Sequence, residues 1–457
     1  MAHKKSSEIN IAIVFFIVSI GCFLIHFFFF RYSFPPYNSD EASFFSPSYS
    51  FAKNGVLASN IHQSFLPGAN RYTYWMPPFY MVFLGTLLKL FGATVFNAKL
   101  VSVLFTCCSA WLISYISKDR FVKICAVSLL LICPFIIITS AFIRVEALAL
   151  LLIVASIIAI KFNLNAYLLG ILAGLSVMTH PLLLACCAAL ALITARRGIK
   201  SFIVFSIVAL VTISPYLFYI LKDVELFSQQ MHLQFLRKAH AKLSDLKLLY
   251  LLQSVPIAMI ALFCLYKVKQ VKELKLFLAA GIVLSLIIIL RSNEFNYQVY
   301  LVPYVIASIA LIIDENKNSL WYRYFLPFCI YGFFLVLFVF KFLKYNHRND
   351  SSYKEMISYL NSNQSWKNKS IYEIGSTDVS NFFIVNNQQI ERPIPIAVVK
   401  NKNWFDKYDF VVEVINNKDQ GNTNDENSIE DKPWLTWKKS GSFSSKDGIY
   451  SLHLFSR

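Results

Sequence analysis

Long apolar runs recur along the first three quarters of this 457-residue chain, and they restrict its fold more than any motif does. The first run, residues 9–30, reads INIAIVFFIVSIGCFLIHFFFF and can cross a hydrocarbon core about 30 Å thick as a helix. Hydrophobic residues make up 56% of the chain and charged residues only 15%, far from the balance of a soluble domain. The chain is therefore predicted to be a polytopic membrane protein.

The N-terminus has the basic head of a signal peptide without its cleavage site. MAHKKSSE precedes the first apolar run, and bulky residues from Phe27 to Arg31 stand where small residues would be needed for cleavage. We expect an uncleaved anchor.

Ten further segments predict helices, and basic clusters recur between them. The predicted helices cover 97–116, 121–141, 146–161, 165–179, 181–195, 201–221, 248–266, 276–291, 299–313 and 324–342. With the first, eleven spans place the N-terminus in the cytoplasm and the C-terminus outside, because basic loops stay inside. Several segments are shorter than the ~20 residues of a full span. The number of helices between residues 146 and 195 therefore stays open. Residues 78–92 favour an interfacial or re-entrant helix.

The sequence changes character at about residue 343, where long apolar runs stop. Residues 351–361 have helical spacing, and four stretches predict short strands: 370–375, 382–387, 395–400 and 409–415. Residues 416–431 predict a disordered loop. The predicted fold class is an all-α polytopic membrane protein, residues 1–342 with a first extracytoplasmic loop at 31–96, followed by a small C-terminal α/β extracytoplasmic domain at 343–457.

The positive charge belongs to the membrane part. Residues 343–457 hold 15 basic against 14 acidic residues, so the net charge of +17 comes almost wholly from residues 1–342. This excess is typical of basic cytoplasmic loops and predicts contact with anionic membrane lipids. The chain carries no nucleic-acid motif, so nucleic acid is not an expected partner. The nine cysteines all lie in apolar segments without metal-ligand spacing, which is typical of small buried hydrophobic residues.

Polar residues collect at the predicted outer rim of the helices. Few ionisable residues fall at mid-membrane depth, and His26 is the main one. A proton-driven transporter would place acids or bases inside its helices, so this scarcity disfavours that class of protein. The rim residues would suit a lipid-facing cleft for a substrate with a greasy tail and a polar head. They are Asp40, Glu41, Arg71, Arg144, Glu146, His180, Arg291, Glu294 and Tyr297.

Five stretches in this order resemble the GT-C membrane glycosyltransferases, especially the branch of protein O-mannosyltransferases and the lipid A aminoarabinose transferase. They are NSDEASFFSPSYSFAKNG (38–55), PPFYMVFLGTLLKLFG (77–92), IRVEALALLLIVASIIA (143–159), LGILAGLSVMTHPLLLACCAALAL (169–192) and RSNEFNYQVYLVPYVIASIALI (291–312). No single stretch is specific; the resemblance rests on their order and on the topology.

The resemblance implies that a sugar moves from a polyprenyl-phosphate donor to a cell-envelope glycan, lipid or protein acceptor on the outer face, with inversion. An acceptor hydroxyl needs a carboxylate to take its proton, whereas phosphate is already a good leaving group. Asp40 is the expected general base and Glu146 the second acid. Arg291 is the first candidate for the donor phosphate, because a guanidinium binds phosphate with two hydrogen bonds.

Each of these residues also has a structural interpretation. Asn38 and Glu41 form a helix-capping pattern, which makes Glu41 the capping member of the acidic pair and leaves Asp40 to face the cleft. Glu146 and Arg144 could simply pair at a helix start, and His180 before Pro181 is typical of a structural helix corner. Interfacial aromatic belts explain Tyr297 and Tyr300 equally well, while His62 and Arg71 lie in a loop that could close over the acceptor.

The sequence departs from the aminoarabinose transferases just before its two prolines. Those proteins have an acid and a lysine where this chain has Trp75 and Met76. No cofactor is therefore predicted, a divalent metal is doubtful, and Arg71 or Arg291 would carry more of the phosphate charge. Trp75 could stack on a sugar ring instead.

Three alternatives stay open at this point. A transporter or flippase would place ionisable groups or broken helices at the midplane. A lipid-linked glycan ligase or polymerase would use a large late loop, for which the polar stretch 222–247 is the candidate. A scaffold would bind envelope partners through its tail. The composition favours a bacterial inner membrane.

Overall fold

The computed structural model describes most of the chain. The described residues are 2–30, 41–62, 66–239, 248–269, 272–292, 295–345, 350–374, 377–386, 390–391, 408–416, 436–444 and 450–457. The predicted catalytic base Asp40 lies outside them, as do Glu294 and the predicted strand 395–400.

Helices dominate the part of the chain before residue 346, so the predicted all-α polytopic architecture is confirmed. In chain order they are α1 (Ala2–Phe30), α2 (Glu41–Asn54), α3 (Phe79–Phe91), α4 (Val95–Ile113), α5 (Arg120–Ile132), α6 (Pro134–Ser140), α7 (Glu146–Lys161), α8 (Ala166–Thr179), α9 (Leu184–Arg196), α10 (Ile199–Ile220), α11 (Val224–Ala239), α12 (Leu248–Lys267), α13 (Lys272–Ser292), α14 (Val302–Glu315) and α15 (Leu326–Tyr345). Each predicted span corresponds to a helix or a pair of helices.

Length and composition identify six of the described segments as able to cross a membrane. They are Ile9–Phe28, Val95–Ile116, Ile199–Ile220, Lys272–Leu290, Tyr297–Glu315 and Trp321–Phe340, and a bent pair formed by α5 and α6 makes a seventh. Shorter apolar helices of 10–17 residues include Phe79–Phe91, Ala166–Thr179, Pro181–Arg196 and Ser254–Lys267. The number of full spans by this measure is thus lower than eleven, because several predicted helices are short.

The prediction of a single helix over 121–141 is wrong. The structure breaks it at Cys133, where α5 and α6 meet at 63°. Cys133 has an extended backbone (φ −62°, ψ 118°) and Pro134 begins the next helix. A proline disfavours helical geometry in the residue before it and has no N–H to continue the helix, which accounts for the break.

Two glycines hold α10 against α8. A Cβ on Gly174 would lie 2.5 Å from the Thr212 Cβ, and one on Gly170 would lie 2.7 Å from the Phe205 carbonyl oxygen. Small residues four apart let two helices approach closely in a membrane, where no hydrophobic effect draws them together. Many of the other residues of α10 are apolar and exposed, and Phe205 is its one buried residue.

The predicted cytoplasmic clusters meet at one end of the bundle, which we call the basic end. Arg197 pairs with Glu273 at 2.7 Å and Arg323 with Asp119 at 3.4 Å. The Lys161 ammonium donates to the carbonyl of Tyr115 at 2.9 Å. These contacts join the end of α7 to the segment after α4, the end of α9 to the start of α13, and the segment before α15 to the start of α5, so the clusters share one end as the alternation predicts.

The polar stretch 222–247 is mostly helical. Residues Val224–Ala239 form α11, which corrects the expectation of a loop there; residues 240–247 lie outside the described part.

The C-terminal part combines two helices with a mixed sheet, as the predicted α/β character requires. The helices are α16 (Asp350–Ser362) and α17 (Thr377–Val385), and the strands are β1 (Ile371–Ile374), β2 (Ile390–Glu391), β3 (Phe410–Asn416), β4 (Lys438–Ser444) and β5 (Tyr450–Ser456). The order across the sheet is β2-β1-β3-β5-β4. β1 is parallel to β2 and β3, whereas β5 is antiparallel to β3 and β4.

The strand predictions at 370–375 and 409–415 are confirmed by β1 and β3. The prediction at 382–387 is wrong, because residues 382–385 belong to α17. Strands β4 and β5 were not predicted at all. Helix α17 packs on α2, and the Tyr49 hydroxyl donates to the Val385 carbonyl at 3.2 Å, so the C-terminal part contacts the start of the first loop.

Candidate active site

A buried ion pair anchors the start of α2 at the end of the bundle opposite the basic end. The Glu41 Oε2 atom lies 3.4 Å from the Lys99 Nζ atom, and Oε1 accepts the backbone N–H of Ile143 at 2.8 Å. The Glu41 side chain is fully buried and that of Lys99 is 1% exposed. One carboxylate therefore joins α2, α4 and the turn between α6 and α7. These contacts cross between elements, and the predicted capping pattern of Asn38 and Glu41 stays a prediction, because Asn38 lies outside the described residues.

The same turn carries a second buried ion pair. Arg144 donates from Nε to one Glu146 oxygen at 2.9 Å and from Nη2 to the other at 2.6 Å. This two-point geometry fits a guanidinium to a carboxylate and is among the stronger charge-assisted contacts. Glu146 is also the first residue of α7, where the helix dipole favours a negative charge. Since Ile143 is bonded to Arg144, the two ion pairs are neighbours.

His180 and two tyrosines form a third part of this end. The His180 Nδ1 atom accepts the Leu182 N–H at 3.2 Å, so the ring caps the short helix after Pro181. The ring stacks on Tyr300 with centroids 5.5 Å apart and lies 6.0 Å from the Tyr297 ring. Segment Phe295–Tyr300 in turn contacts α6 and α7. The structure thus brings His180, Tyr297 and Tyr300 together beside the turn that carries Arg144.

Aromatic residues of the first loop cover the Glu41 side. The Trp75 ring lies 5.4 Å from the Phe44 ring and 5.0 Å, edge on, from the His62 ring. The Trp75 indole N–H is buried and has no hydrogen-bond acceptor among the described residues. Tyr80, edge on to Phe44 at 5.7 Å, lies within electrostatic reach of Glu41 and Glu146. Tyr80 was not singled out in the sequence.

Arg71 is placed differently from the other candidates. Its guanidinium pairs with Asp223 at 3.2 Å and its side chain is 66% exposed. The nearby loop is held by a buried glutamine, whose Oε1 accepts the Tyr74 N–H at 2.7 Å and whose Nε2 donates to the Pro67 and Tyr72 carbonyls at 2.9 Å. That residue, Gln230 on α11, was missed in the sequence, where it stands in a polar stretch without a motif.

Two predicted residues cannot be placed fully. Asp40 directly precedes Glu41 in the sequence but lies outside the described residues. Arg291 is the last but one residue of α13, at the same end of the bundle as the segment Phe295–Tyr300. Within the described part of the chain, no three histidine, cysteine or acidic side chains form a set that could hold a metal ion.

The cluster is electrically balanced, with two carboxylates facing two buried cations. A buried carboxylate that pairs with a cation and accepts hydrogen bonds holds its partners in a fixed geometry. Glu41 and Glu146 are therefore suited to holding the geometry of this end.

Comparison with solved structures identifies the fold. The crystal structure of ArnT from Cupriavidus metallidurans bound to undecaprenyl phosphate matches with a TM-score of 0.59 at 12% identity, over 97% of this chain and 98% of that chain. The apo structure of the same protein matches with a TM-score of 0.57 at 11% identity, over the same shares. No protein-family model and no curated protein matches the chain.

At this level of identity the likeness establishes the fold. The chain is a polytopic membrane protein with the GT-C fold, as the five sequence stretches predict. Both of these solved structures are of ArnT, a lipid A aminoarabinose transferase.

Proposed function

We propose that the protein is a membrane glycosyltransferase that moves a sugar from a polyprenyl-phosphate donor to a hydroxyl group of an envelope glycan, lipid or protein. The observation that carries the proposal is the pair of buried ion pairs, Glu41 with Lys99 and Arg144 with Glu146, at the helix end where the acidic pair of the sequence begins α2. The match in fold to ArnT, which was crystallised with undecaprenyl phosphate, supports a lipid phosphate as donor.

In this reaction the acceptor oxygen attacks the anomeric carbon from the side opposite the phosphate. The bond from that carbon to the phosphate oxygen breaks, polyprenyl phosphate leaves, and the acceptor proton passes to a carboxylate. A single displacement inverts the anomeric centre. No metal or organic cofactor is needed for this balance.

Asp40 is the proposed general base. The two acids of the described cluster, Glu41 and Glu146, are each paired with a buried cation, so we assign them as positioning residues. The Glu41 contact to the Ile143 N–H sets the start of α2 against the turn that carries Arg144.

The donor would lie beside the tyrosines. Arg291 is the proposed ligand of the donor phosphate, with Tyr297, Tyr300 and His180 beside it and Trp75 against the sugar. Arg71, which pairs with Asp223 at the surface, is a weaker candidate. We further propose that residues 1–342 form the catalytic module, that residues 343–457 form an extracytoplasmic domain, and that the protein resides in a bacterial inner membrane with its N-terminus in the cytoplasm.

The direct test uses purified full-length protein in liposomes with a synthetic polyprenyl-phosphate hexose and a mixed pool of envelope acceptors. We expect release of polyprenyl phosphate that depends on the acceptor pool, measured by mass spectrometry. Arg291→Gln should raise the donor concentration needed for half-maximal release, because one charge on the phosphate is lost. Absence of release across hexose and pentose donors would contradict the proposed function.

A further inference from the structure

A polar cavity of about 530 Å³ lies between α2, the first loop and α17. It is separate from the ion-pair cluster, and its walls come from three segments of the chain. The side chains that matter here are Ser46, Tyr49, Ser50 and Lys53 of α2, with Asn60 and Asn70 of the loop.

The walls are held by hydrogen bonds. The Ser59 hydroxyl donates to the Ser46 Oγ atom at 3.1 Å, and the Ser59 N–H donates to the Ala69 carbonyl at 2.7 Å. The Tyr49 hydroxyl donates to the Val385 carbonyl, which fixes α17 as the far wall. The cavity is therefore preformed. A ligand can bind to such a site without a large entropic cost for ordering the protein.

The chemistry of the lining suits a sugar that carries an acidic group. Hydroxyl and carboxamide groups match the donor and acceptor pattern of a hydroxyl-rich ring. Among the described lining residues the charged one is Lys53, whose Nζ atom lies 5.7 Å from the centre of the Tyr49 ring. The described lining thus offers a positive charge to an acidic ligand.

The position along α2 separates this cavity from the reacting centre. Helix α2 starts at Glu41, in the ion-pair cluster, and Tyr49 and Lys53 follow about 12 and 18 Å further along at 1.5 Å per residue. A sugar bound beside Lys53 is too far from Glu41 to be the one that reacts. Such a sugar would be part of the acceptor molecule that also carries the reacting hydroxyl. Contacts far from the reacting atoms help to orient a substrate for reaction.

We propose that this cavity binds an acidic sugar unit of the acceptor, one or more units away from the hydroxyl that is glycosylated. This rests on the proposed function, because only a transferase has an acceptor. The acid group pairs with Lys53, and the ring hydroxyls bond to Ser50, Asn60 and Asn70.

The test measures binding of three soluble sugars to the purified full-length protein in detergent by saturation-transfer NMR. Glucuronic acid, glucose and glucosamine have similar rings and differ in charge. We expect glucuronic acid to bind about fivefold more tightly than glucosamine, the size of one exposed charge contact. Lys53→Gln should remove that difference. The matched control is Lys222→Gln, since Lys222 is also exposed and lies over tyrosine rings, at 5.9 Å, but outside the cavity.

The outcomes separate this proposal from the proposed function. Ser50→Trp, which fills the cavity, should abolish binding of all three sugars, and Asp40→Asn should leave it unchanged. Equal binding of the three sugars, no binding at about 50 mM, or the same loss in both lysine variants would overturn the cavity proposal even if transfer is observed. Selective binding of glucuronic acid with no transfer from any polyprenyl-phosphate donor would instead overturn the proposed function.

Discussion

Lys99 carries a positive charge into a position that is closed to water. Its ammonium lies 3.4 Å from Glu41 and 5.7 Å from the centre of the Phe142 ring, near the start of an otherwise apolar helix. A buried charge is costly unless it is paired, and removing one partner leaves the other uncompensated. The pair thus ties the start of α2 to α4.

Replacing one member of this pair should cost more than replacing both. We expect Lys99→Met or Glu41→Gln alone to destabilise the protein by about 3–5 kcal/mol. The double variant should recover part of that loss, because no buried charge remains. Thermal unfolding in detergent, followed by tryptophan fluorescence, measures the three variants. Equal and additive losses would show that the two side chains do not act as a pair.

The sequence indicated part of this residue-scale arrangement. Arg144 and Glu146 are two apart at a helix start, and their pairing was one of the two interpretations weighed. Glu41 was assigned to its own helix because its contact lies 102 residues away, which no local pattern reports. Lys99 was missed, although a lysine inside an apolar helix is itself a signal of a buried partner.

At the scale of elements, the long hydrophobic runs of the sequence predicted the long helices well. Short segments were predicted badly. The break at Cys133 had a local signal in Pro134. Residues 382–387 read as a strand because a short aromatic and β-branched run has no periodicity that separates strand from helix. Strand β4 is polar and mostly exposed, so it lacks the alternation on which strand prediction depends.

The contact between α8 and α10 yields a prediction for a single methyl group. Gly174→Ala should lower stability by about 1–3 kcal/mol, because the added Cβ would overlap the Thr212 Cβ at 2.5 Å. The matched control is Gly332→Ala in α15, where nothing lies within 4 Å of the added carbon. We expect that variant to be neutral or slightly stabilised, since alanine favours a helix over glycine. Equal unfolding midpoints for the two variants would contradict the close approach of α8 and α10.

At the scale of the whole molecule, two ends of one bundle have different chemistry. The basic end gathers lysines and arginines with a few acids, whereas the opposite end holds balanced, buried ion pairs and aromatic rings. The alternation of charge along the sequence predicted this division. The sequence could not predict that α17 packs on α2, because the contact joins residues more than 300 positions apart.

The proposed orientation can be tested with single cysteines in a variant that lacks the nine native ones. Asn318→Cys lies at the basic end and Ser362→Cys in the C-terminal part, and both positions are exposed. In intact cells a membrane-impermeant maleimide should label Ser362→Cys alone, because basic loops stay in the cytoplasm. Labelling of both should appear once the membrane is broken. The reverse pattern in intact cells would place the ion-pair cluster on the cytoplasmic side.

The most direct test of the central claim compares the two neighbouring acids of the α2 start in one assay. Transfer from a polyprenyl-phosphate sugar in liposomes and thermal stability in detergent are measured for Asp40→Asn and Glu41→Gln. We predict that Asp40→Asn keeps the native unfolding midpoint and loses about 10²- to 10⁴-fold in transfer rate, the usual contribution of a general base. Glu41→Gln should unfold at lower temperature, while its folded fraction keeps a rate within about tenfold of the native one. Native transfer by Asp40→Asn would contradict the assignment of Asp40 as the base.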